Sequence, residues 1–539
     1  MTIGVKRFAA NRSGNFAIIS SLLAVPLVLS AGVALDVATI NRTKSELQQA
    51  LDAAVLAVAR EGKEISDQQA IQIAMNFVEN NYHLKFTDLE LDHDGSAIRL
   101  DATTRARIAF GGLLGYDHWP VTASSEADIA YVSYEIALVL DTTGSMAGGK
   151  LTALKEAVDG MIESMSAQMK DKDKLKFALV PFASFVNVGP QYGPKFDREG
   201  LQIPGTGAEW LDLEGRNPIP QTELRPGASR FQAYHNVGKE WPGCVETRPA
   251  HGGRDYDVAD EPADSKKKHS LFVPAFAIDE PDTGYVNDYL ASGGVDPLDK
   301  SNGASKAKHK KYGIDTDANG NPVGALLEAV GNLLSGGGAI PIDDGPSGYQ
   351  GYAKGPDFGC ATQPITPLTN DYMLLRNKVR QFNAQGNTNI MEGVAWGHRV
   401  LSPGEPFAGA SDPKKKETEK IMVVLTDGAN TFGNTNTALG SHYSSFGYLV
   451  DGRLGVTAGG ASATNQAMNE RTLAACQYAK EYGVTVYTIR LEEPDVKTGT
   501  MLQECATSPE HYFDAPSRSE LDDVFKRIKD NIVRLRLSS

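Results

Sequence analysis

The chain has 539 residues, room for more than one domain. Its formal net charge of −14 argues against a nucleic-acid partner. Four cysteines, Cys244, Cys360, Cys476 and Cys505, are too sparse for a disulfide scaffold and form no Cys-x-x-Cys metal motif, so their meaning depends on the compartment.

Residues 16–35 carry no charge, enough chain to cross a hydrocarbon core of roughly 30 Å as one helix. Lys6, Arg7 and Arg12 precede the run, so residues 1–15 are expected in the cytoplasm and everything after Asp36 on the far side of the membrane. A cleaved signal peptide is the competing reading. The run is long for one, and a polar helical pattern follows it rather than a small-x-small cleavage site. Pro26 is tolerable inside a membrane helix.

Phe8, Asn11-Arg12-Ser13-Gly14-Asn15-Phe16-Ala17, Val33-Ala34-Leu35-Asp36-Val37 and the polar-apolar pattern of residues 45–57 together resemble the N-terminus of TadE/TadG-like proteins. Those proteins belong to the bacterial tight-adherence (Flp) pilus assembly machinery. The resemblance implies a single-pass protein of the bacterial inner membrane with most of the chain in the periplasm, working with pilin or Tad secretion components. The cell surface is the alternative destination. Prepilin processing requires Glu five residues after the glycine; Ile19 stands there, so no cleavage at Gly14 is expected.

Residues 36–130 read as a helix plus a small sheet. Residues 45–79 continue the helical spacing outward as one long helix. Short alternating pieces then follow at residues 84–86, 98–100, 107–110 and 121–123, separated by Asp-Gly and Gly-Gly turns. By analogy this is a pilin-like α+β region; a plain stalk is the equal alternative.

Residues 131–539 read as an α/β domain with a doubly wound, mostly parallel sheet. Ile136 to Leu140 is a continuous aliphatic run, as in a strand buried on both faces. It stops at Asp141, and Asp141, Thr143 and Ser145 then place one carboxylate and two hydroxyls at alternate positions before a helix that starts near Lys150. Oxygen donors of this kind suit a hard divalent cation. The same stretch, Gly144 to Lys150, imitates a phosphate-binding loop. Leu151 occupies the position of the Mg²⁺-binding Ser or Thr, so neither nucleotide nor nucleotide chemistry is expected. Leu151, Leu154, Val158, Met161, Ile162 and Met165 give the helix one apolar face, and residues 177–182 form the next strand.

An insertion spans residues 188–360, rich in Gly, Pro and Asp, with lysine clusters at 266–268 and 306–311. Poor in long aliphatic runs, it reads as an irregular, loop-rich surface region. Within it Asp315, Asp317 and Asn319 imitate the start of a calcium loop, but Leu326 replaces the bidentate Glu, and a polar turn is the better reading. The domain resumes with a helix over 372–383, a second insertion over 431–464, a helix over 470–482, a strand over 484–491 and a helix over 521–532. Both insertions are expected to shape the rim beside the strand ends, where ligands of such sheets bind.

Asp141-x-Thr143-x-Ser145, followed by Gly386-Asn387-Thr388-Asn389-Ile390 and by Thr426-Asp427-Gly428 at a strand end, resembles the metal-ion-dependent adhesion site (MIDAS) of von Willebrand factor A domains. Thr143 replaces the usual Ser and keeps the hydroxyl. With the N-terminal pattern, this points to the TadG-like branch. The resemblance implies that Asp141, Thr143, Ser145, Thr388 and Asp427 hold Mg²⁺, with Mn²⁺ or Ca²⁺ as alternatives, and that the ion accepts an acidic side chain from a protein partner. The expected function is a membrane-anchored, periplasm-facing pilus assembly protein; the alternative is a surface adhesin. No His-Glu-x-x-His or Gly-x-Ser-x-Gly occurs and the histidines do not cluster, so no enzyme is expected. Export permits disulfides, and Cys244 with Cys360 and Cys476 with Cys505 are the expected pairs; four buried free thiols are the alternative.

Overall fold

In the computed structural model, helix α1 (Ser13–Ala59) carries the uncharged run and then changes character. Large apolar side chains such as Leu22, Leu27 and Leu35 are exposed along its first half. From Leu47 onward one face is buried, with Leu47, Leu51, Ala54 and Val58 at helical spacing. The structure describes residues 13–59, 66–82, 86–93, 97–128, 133–169, 171–259, 261–281, 287–314, 338–347, 352–414 and 418–534. The calcium-like run from Asp315 to Leu326 and the basic residues Lys6, Arg7 and Arg12 lie outside them. The chain divides into two units, Met1–Tyr131 and Val132–Ser539.

In the first unit the expected single helix over 45–79 is corrected to two. α1 ends at Ala59, and α2 (Asp67–Asn81) starts afresh from a capping box in which Ser66 accepts from the Gln69 amide and the Gln69 side chain answers the Ser66 amide. Ala70, Ala74 and Val78 of α2 then pack in one cluster with Leu47, Leu51 and Val58. Strands β1 (Phe86–His93), β2 (Ala97–Arg107) and β3 (His118–Asp128) form an antiparallel sheet in that order. Ile98, Leu100 and Ala102 alternate onto the same cluster as α1, the period of two expected of a half-buried sheet. The strand expected over 107–110 is also corrected. β2 stops at Arg107, and residues 108–117 are the hairpin connection.

The second unit runs β4 (Ser133–Asp141), α3 (Gly149–Gln168), β5 (Leu175–Phe182), α4 (Arg230–Asn236), α5 (Asn302–Lys310), β6 (Thr366–Thr369), α6 (Tyr372–Arg380), α7 (Ile390–Val400), β7 (Thr418–Thr426), α8 (Ala461–Glu481), β8 (Val484–Leu491), α9 (Val496–Cys505), β9 (Tyr512–Ala515) and α10 (Leu521–Arg534). The sheet order is β6-β5-β4-β7-β8-β9, parallel except for the antiparallel edge strand β6. Ile136, Leu138 and Leu140 of β4 face α3, α6 and α10, whereas Ala137 and Val139 face α7, α8 and α9. Burial on both faces explains the unbroken aliphatic run. α8 begins nine residues before the expected Glu470, so the second insertion ends by Gly460. Of the helix's first turns only Thr464 and Met468 are buried, which leaves no apolar stripe to read.

The first insertion is loop-rich as expected but is no mere surface region. Phe231, Tyr234, Trp241, Phe272, Phe276, Tyr289 and Tyr312 belong to the same hydrophobic cluster as Val139 and Val180 of the sheet and Tyr443, Phe446 and Tyr448 of the second insertion. Its core is built from single aromatic side chains, each covering a large area. Buried ion pairs join the two insertions: Glu246 meets both Arg230 and Arg453 at 2.8 Å. Lys311, from the lysine-rich stretch, is buried between Glu223 at 3.1 Å and Asp279 at 3.2 Å. His251 and His269, eighteen positions apart in sequence, stack with ring centroids 3.3 Å apart. Cys244 pairs with Cys360 and Cys476 with Cys505, the two pairs named from the sequence.

Two outcomes follow from this core. Burial pushes the Glu280 carboxyl up to about 8, against the hydrogen bond from Tyr448 and with the charge of Glu223 adding to the rise. Its folded pKa exceeds the unfolded value near ~4.3, so the contribution is complete below that pH and is lost as pH rises toward 8. Thermal unfolding of Glu280→Gln should therefore gain on wild type by a few degrees between pH 5 and pH 9; a constant gap would contradict the assignment. Chain entropy over sequence separations of 116 and 29 gives about 5 kcal/mol for the Cys244–Cys360 bridge and about 3.5 kcal/mol for Cys476–Cys505. Denaturant titration of the two double Cys→Ala variants should rank them in that order.

Candidate functional site

Asp141 is the last residue of β4, and Thr426 is the last of its parallel neighbour β7. The register sets Leu140 beside Leu425, so the next residues on each strand meet at the same sheet edge. Thr426 Oγ1 donates to Asp141 Oδ2 at 2.6 Å, and the Thr143 amide donates to Asp141 Oδ1 at 2.8 Å. Asp141 is fully buried. Burial and then the charge of Asp427 push its carboxyl up to about 7, while the Thr143 and Thr426 hydrogen bonds oppose the rise.

The loop before α7 supplies the third piece. Gly386 adopts φ of +94°, which a side chain would strain, and its carbonyl accepts the Gly144 amide at 3.0 Å. The Gln385 amide bonds the Thr142 carbonyl at 2.8 Å, which ties this loop to the turn after β4. Asn389 caps α7 through the Glu392 amide. Thr388 is thereby held beside Thr143, with Oγ1 atoms 3.4 Å apart.

The hydroxyls form one directed chain. Ser145 donates to Asp427 Oδ1 at 2.6 Å, so its oxygen accepts from Thr143 at 3.0 Å, and Thr143 in turn accepts from Thr388. All three protons point toward the Asp427 carboxylate, leaving lone pairs on three neutral oxygens. All five residues named from the sequence are therefore connected, directly or through Thr426 and the Thr143 backbone. Every donor atom among them is oxygen, the set a hard divalent cation takes. Among the described residues no group of three His, Cys, Asp or Glu side chains forms an alternative metal cluster.

Three participants were not read from the sequence. Lys150 Nζ donates to Asp427 Oδ2 at 2.7 Å; the lysine is one-fifth exposed and the carboxylate fully buried. The ammonium serves a carboxylate from a distant strand, while Leu151 beside it packs into the core with Leu154. Thr426 orients Asp141, and Glu493 stands after β8, its Oε2 3.9 Å from where a Cβ on Gly428 would sit. Lys150 stood in the phosphate-loop imitation, and only the fold reveals its partner. The second insertion reaches the same edge: Thr431 donates its amide to the Thr388 carbonyl at 2.8 Å, and Asn389 Nδ2 donates to Ser445 Oγ at 2.9 Å.

Residues 14–61 match the TadE/G-like family model of Flp pilus assembly. That match lies within the first unit. No curated protein matches the chain. Solved structures with some likeness include the pilus adhesin SpaC from Lactobacillus rhamnosus GG, 12% identical with a TM-score of 0.31, covering 83% of this chain and 34% of that one. The chain thus spans about a third of SpaC's length. The vWF domain of the type V pili tip protein Mfa5 from Porphyromonas gingivalis is 10% identical with a TM-score of 0.30, covering 75% and 95% of the two chains. The PilB minor pilin from Streptococcus sanguinis is 11% identical with a TM-score of 0.29, covering 85% and 81%.

Removing Lys150 leaves the buried Asp427 carboxylate without its ammonium. Lys150→Met should lower stability in EDTA by about 2–3 kcal/mol, less than a fully buried pair because the lysine is partly exposed. Adding Asp427→Asn should restore most of the loss. Urea unfolding of the single and double variants checks both.

Proposed function

We propose that this is a membrane-anchored, pilus-associated protein of the Tad type. Its second unit, read as a doubly wound von Willebrand A-type domain, binds protein partners through a divalent cation, with Mg²⁺ the first choice. The observation that carries the reading is the meeting of Asp141, Thr143, Ser145, Thr388 and Asp427 at one sheet edge. The sheet order, with β4 central and its neighbours running outward in both directions, supports the doubly wound reading. The TadE/G-like match at residues 14–61 and the apolar half of α1 support the pilus and membrane parts.

In this reading Asp141 and Asp427 hold the ion, and Thr143, Ser145 and Thr388 offer neutral oxygens. An ion surrounded mostly by neutral donors stays electrophilic and takes a carboxylate from a partner as a further ligand. The protein's own work is positioning. Thr426 and the Thr143 amide fix Asp141, and Gly386 and the Asn389 cap fix Thr388. The contacts of the second insertion with the Thr388 loop give surface that surrounds the partner's side chain. No residue set for bond-breaking chemistry enters this account; the proposed activity is binding.

The test is affinity capture from native membranes with the full chain in mild detergent, comparing wild type in Mg²⁺, wild type in EDTA and Asp141→Ala in Mg²⁺. Partners held by the first and lost from the other two are expected. Equal recovery in all three would reject metal-mediated binding. Capture of pilus or secretion components supports an assembly role, and an extracellular ligand instead would make the protein an adhesin.

A further inference from the structure

The hairpin connection between β2 and β3 reads Ile108-Ala109-Phe110-Gly111-Gly112-Leu113-Leu114-Gly115-Tyr116, nine residues without a charge. In water such a tip would be unusual, since turns are normally polar. Its placement explains the composition. The Asp36 carboxylate, 8% exposed, accepts the amides of Ala109 at 2.8 Å, Phe110 at 3.0 Å and Gly111 at 2.7 Å. Asp36 is the first charged residue after the uncharged run, so the tip is fastened to α1 where that run ends. Phe110 reaches further: its ring lies over Gly32, where any Cβ would collide with it. Gly32 is four residues, about 6 Å along the helix axis, deeper into the uncharged run than Asp36.

The backbone of the tip is also largely satisfied from within. Besides the three amides on Asp36, Ile108 bonds the Asp117 carbonyl at 3.2 Å, Gly115 the Gly112 carbonyl at 3.2 Å and Tyr116 the Gly111 carbonyl at 3.0 Å. Internal satisfaction is the condition for irregular backbone beside hydrocarbon. Around the tip the chemistry changes. Tyr116 is 60% exposed and Trp119 49% exposed. Trp119 stands opposite the fully buried Ala106, on the sheet face whose residues Leu100 and Ala102 pack on α1. Arg105 and Arg107 are exposed at the same end of the sheet. Along the hairpin the apolar tip gives way to Tyr116, Asp117, His118 and Trp119, which join aromatic rings to polar and charged ends, and then to arginines, the order of groups met on passing from acyl chains through the interface to the phosphates.

We infer that the β2–β3 hairpin tip dips into the lipid leaflet around α1, with Trp119 and Tyr116 in the headgroup layer. The first unit would then be held to the bilayer at two points, which fixes its tilt rather than leaving it to swing on one helix. This rests on α1 being the membrane span, a reading that the test separates from the inference itself.

The full chain is reconstituted into vesicles of phosphatidylethanolamine and phosphatidylglycerol whose acyl chains are brominated close to the headgroup, and tryptophan emission is compared with unbrominated vesicles. Of the four tryptophans, Trp210, Trp241 and Trp396 are at most 5% exposed, within the second unit. Wild type is expected to lose the share of emission that belongs to Trp119, and Trp119→Phe to lose none. Equal quenching of the two proteins, both floating with the vesicles and resisting alkaline extraction, overturns the inference and leaves the span intact. Failure to float, or release by alkali, removes the span and the inference with it.

Discussion

Two carboxylates at the ends of adjacent parallel strands, Asp141 and Asp427, impose the constraint that the rest of the second unit answers. Both are buried at the same edge of the sheet, and like charges that close in a medium of low dielectric repel strongly. Each is met separately. Asp141 is surrounded by hydrogen-bond donors, an amide and the Thr426 hydroxyl, while Asp427 has the Lys150 ammonium and the end of a hydroxyl chain. The loops that bring these donors must be held to the strand ends. The Gly144–Gly386 and Gln385–Thr142 backbone bonds do that. In the proposed reading, this gathering of carboxylates and neutral oxygens is what a divalent cation would complete.

The insertions belong to this arrangement rather than decorating it. Their aromatic residues cover one face of the sheet together with α7, α8 and α9, and Tyr443, Arg230 and Arg453 converge on Glu246. Through Thr431 and Ser445 the second insertion also touches the Thr388 loop, which Ser184 holds from just after β5. Surface that surrounds the site is thus anchored in the hydrophobic core, which keeps loop-built surroundings in place.

The meeting of the five candidate residues was largely legible in the sequence, because Asp141 and Asp427 stand where aliphatic strands stop and the hydroxyl residues Thr143, Ser145 and Thr388 lie in the turns between a strand and a helix or just ahead of a helix. Ile136 to Leu140 and Ile421 to Leu425 announce Asp141 and Asp427 by stopping. Lys150 was legible only as a lysine: its partner lies 277 positions away, and no local pattern encodes that distance. The four-residue strands β6 and β9 are too short to show a period. The core of the first insertion escaped for a different reason. Burial there is carried by isolated aromatic residues among Gly and Pro, without periodicity, and by charged residues such as Lys311 that look solvent-facing until their partners are seen. Helical composition continues past Ala59, and only the Ser66 capping box marks the start of α2.

The pairing at the centre of the sheet also has a consequence in time. β4 and β7 are neighbours in space but their contacting residues, Asp141 and Thr426, are 285 positions apart. A chain delivered N-terminus first presents β4, β5 and the whole first insertion before β7 exists to close the sheet. Until then the aliphatic edge of β4 has only β5 beside it, and the aromatic residues of the insertion lack half of the surface they finally cover. Contacts of this span make folding slow and late, with apolar surface and an unpaired strand edge waiting in the open. Assembly of the domain is therefore a process in which the last-arriving quarter of the chain decides whether its first strand, β4, ever becomes an interior one.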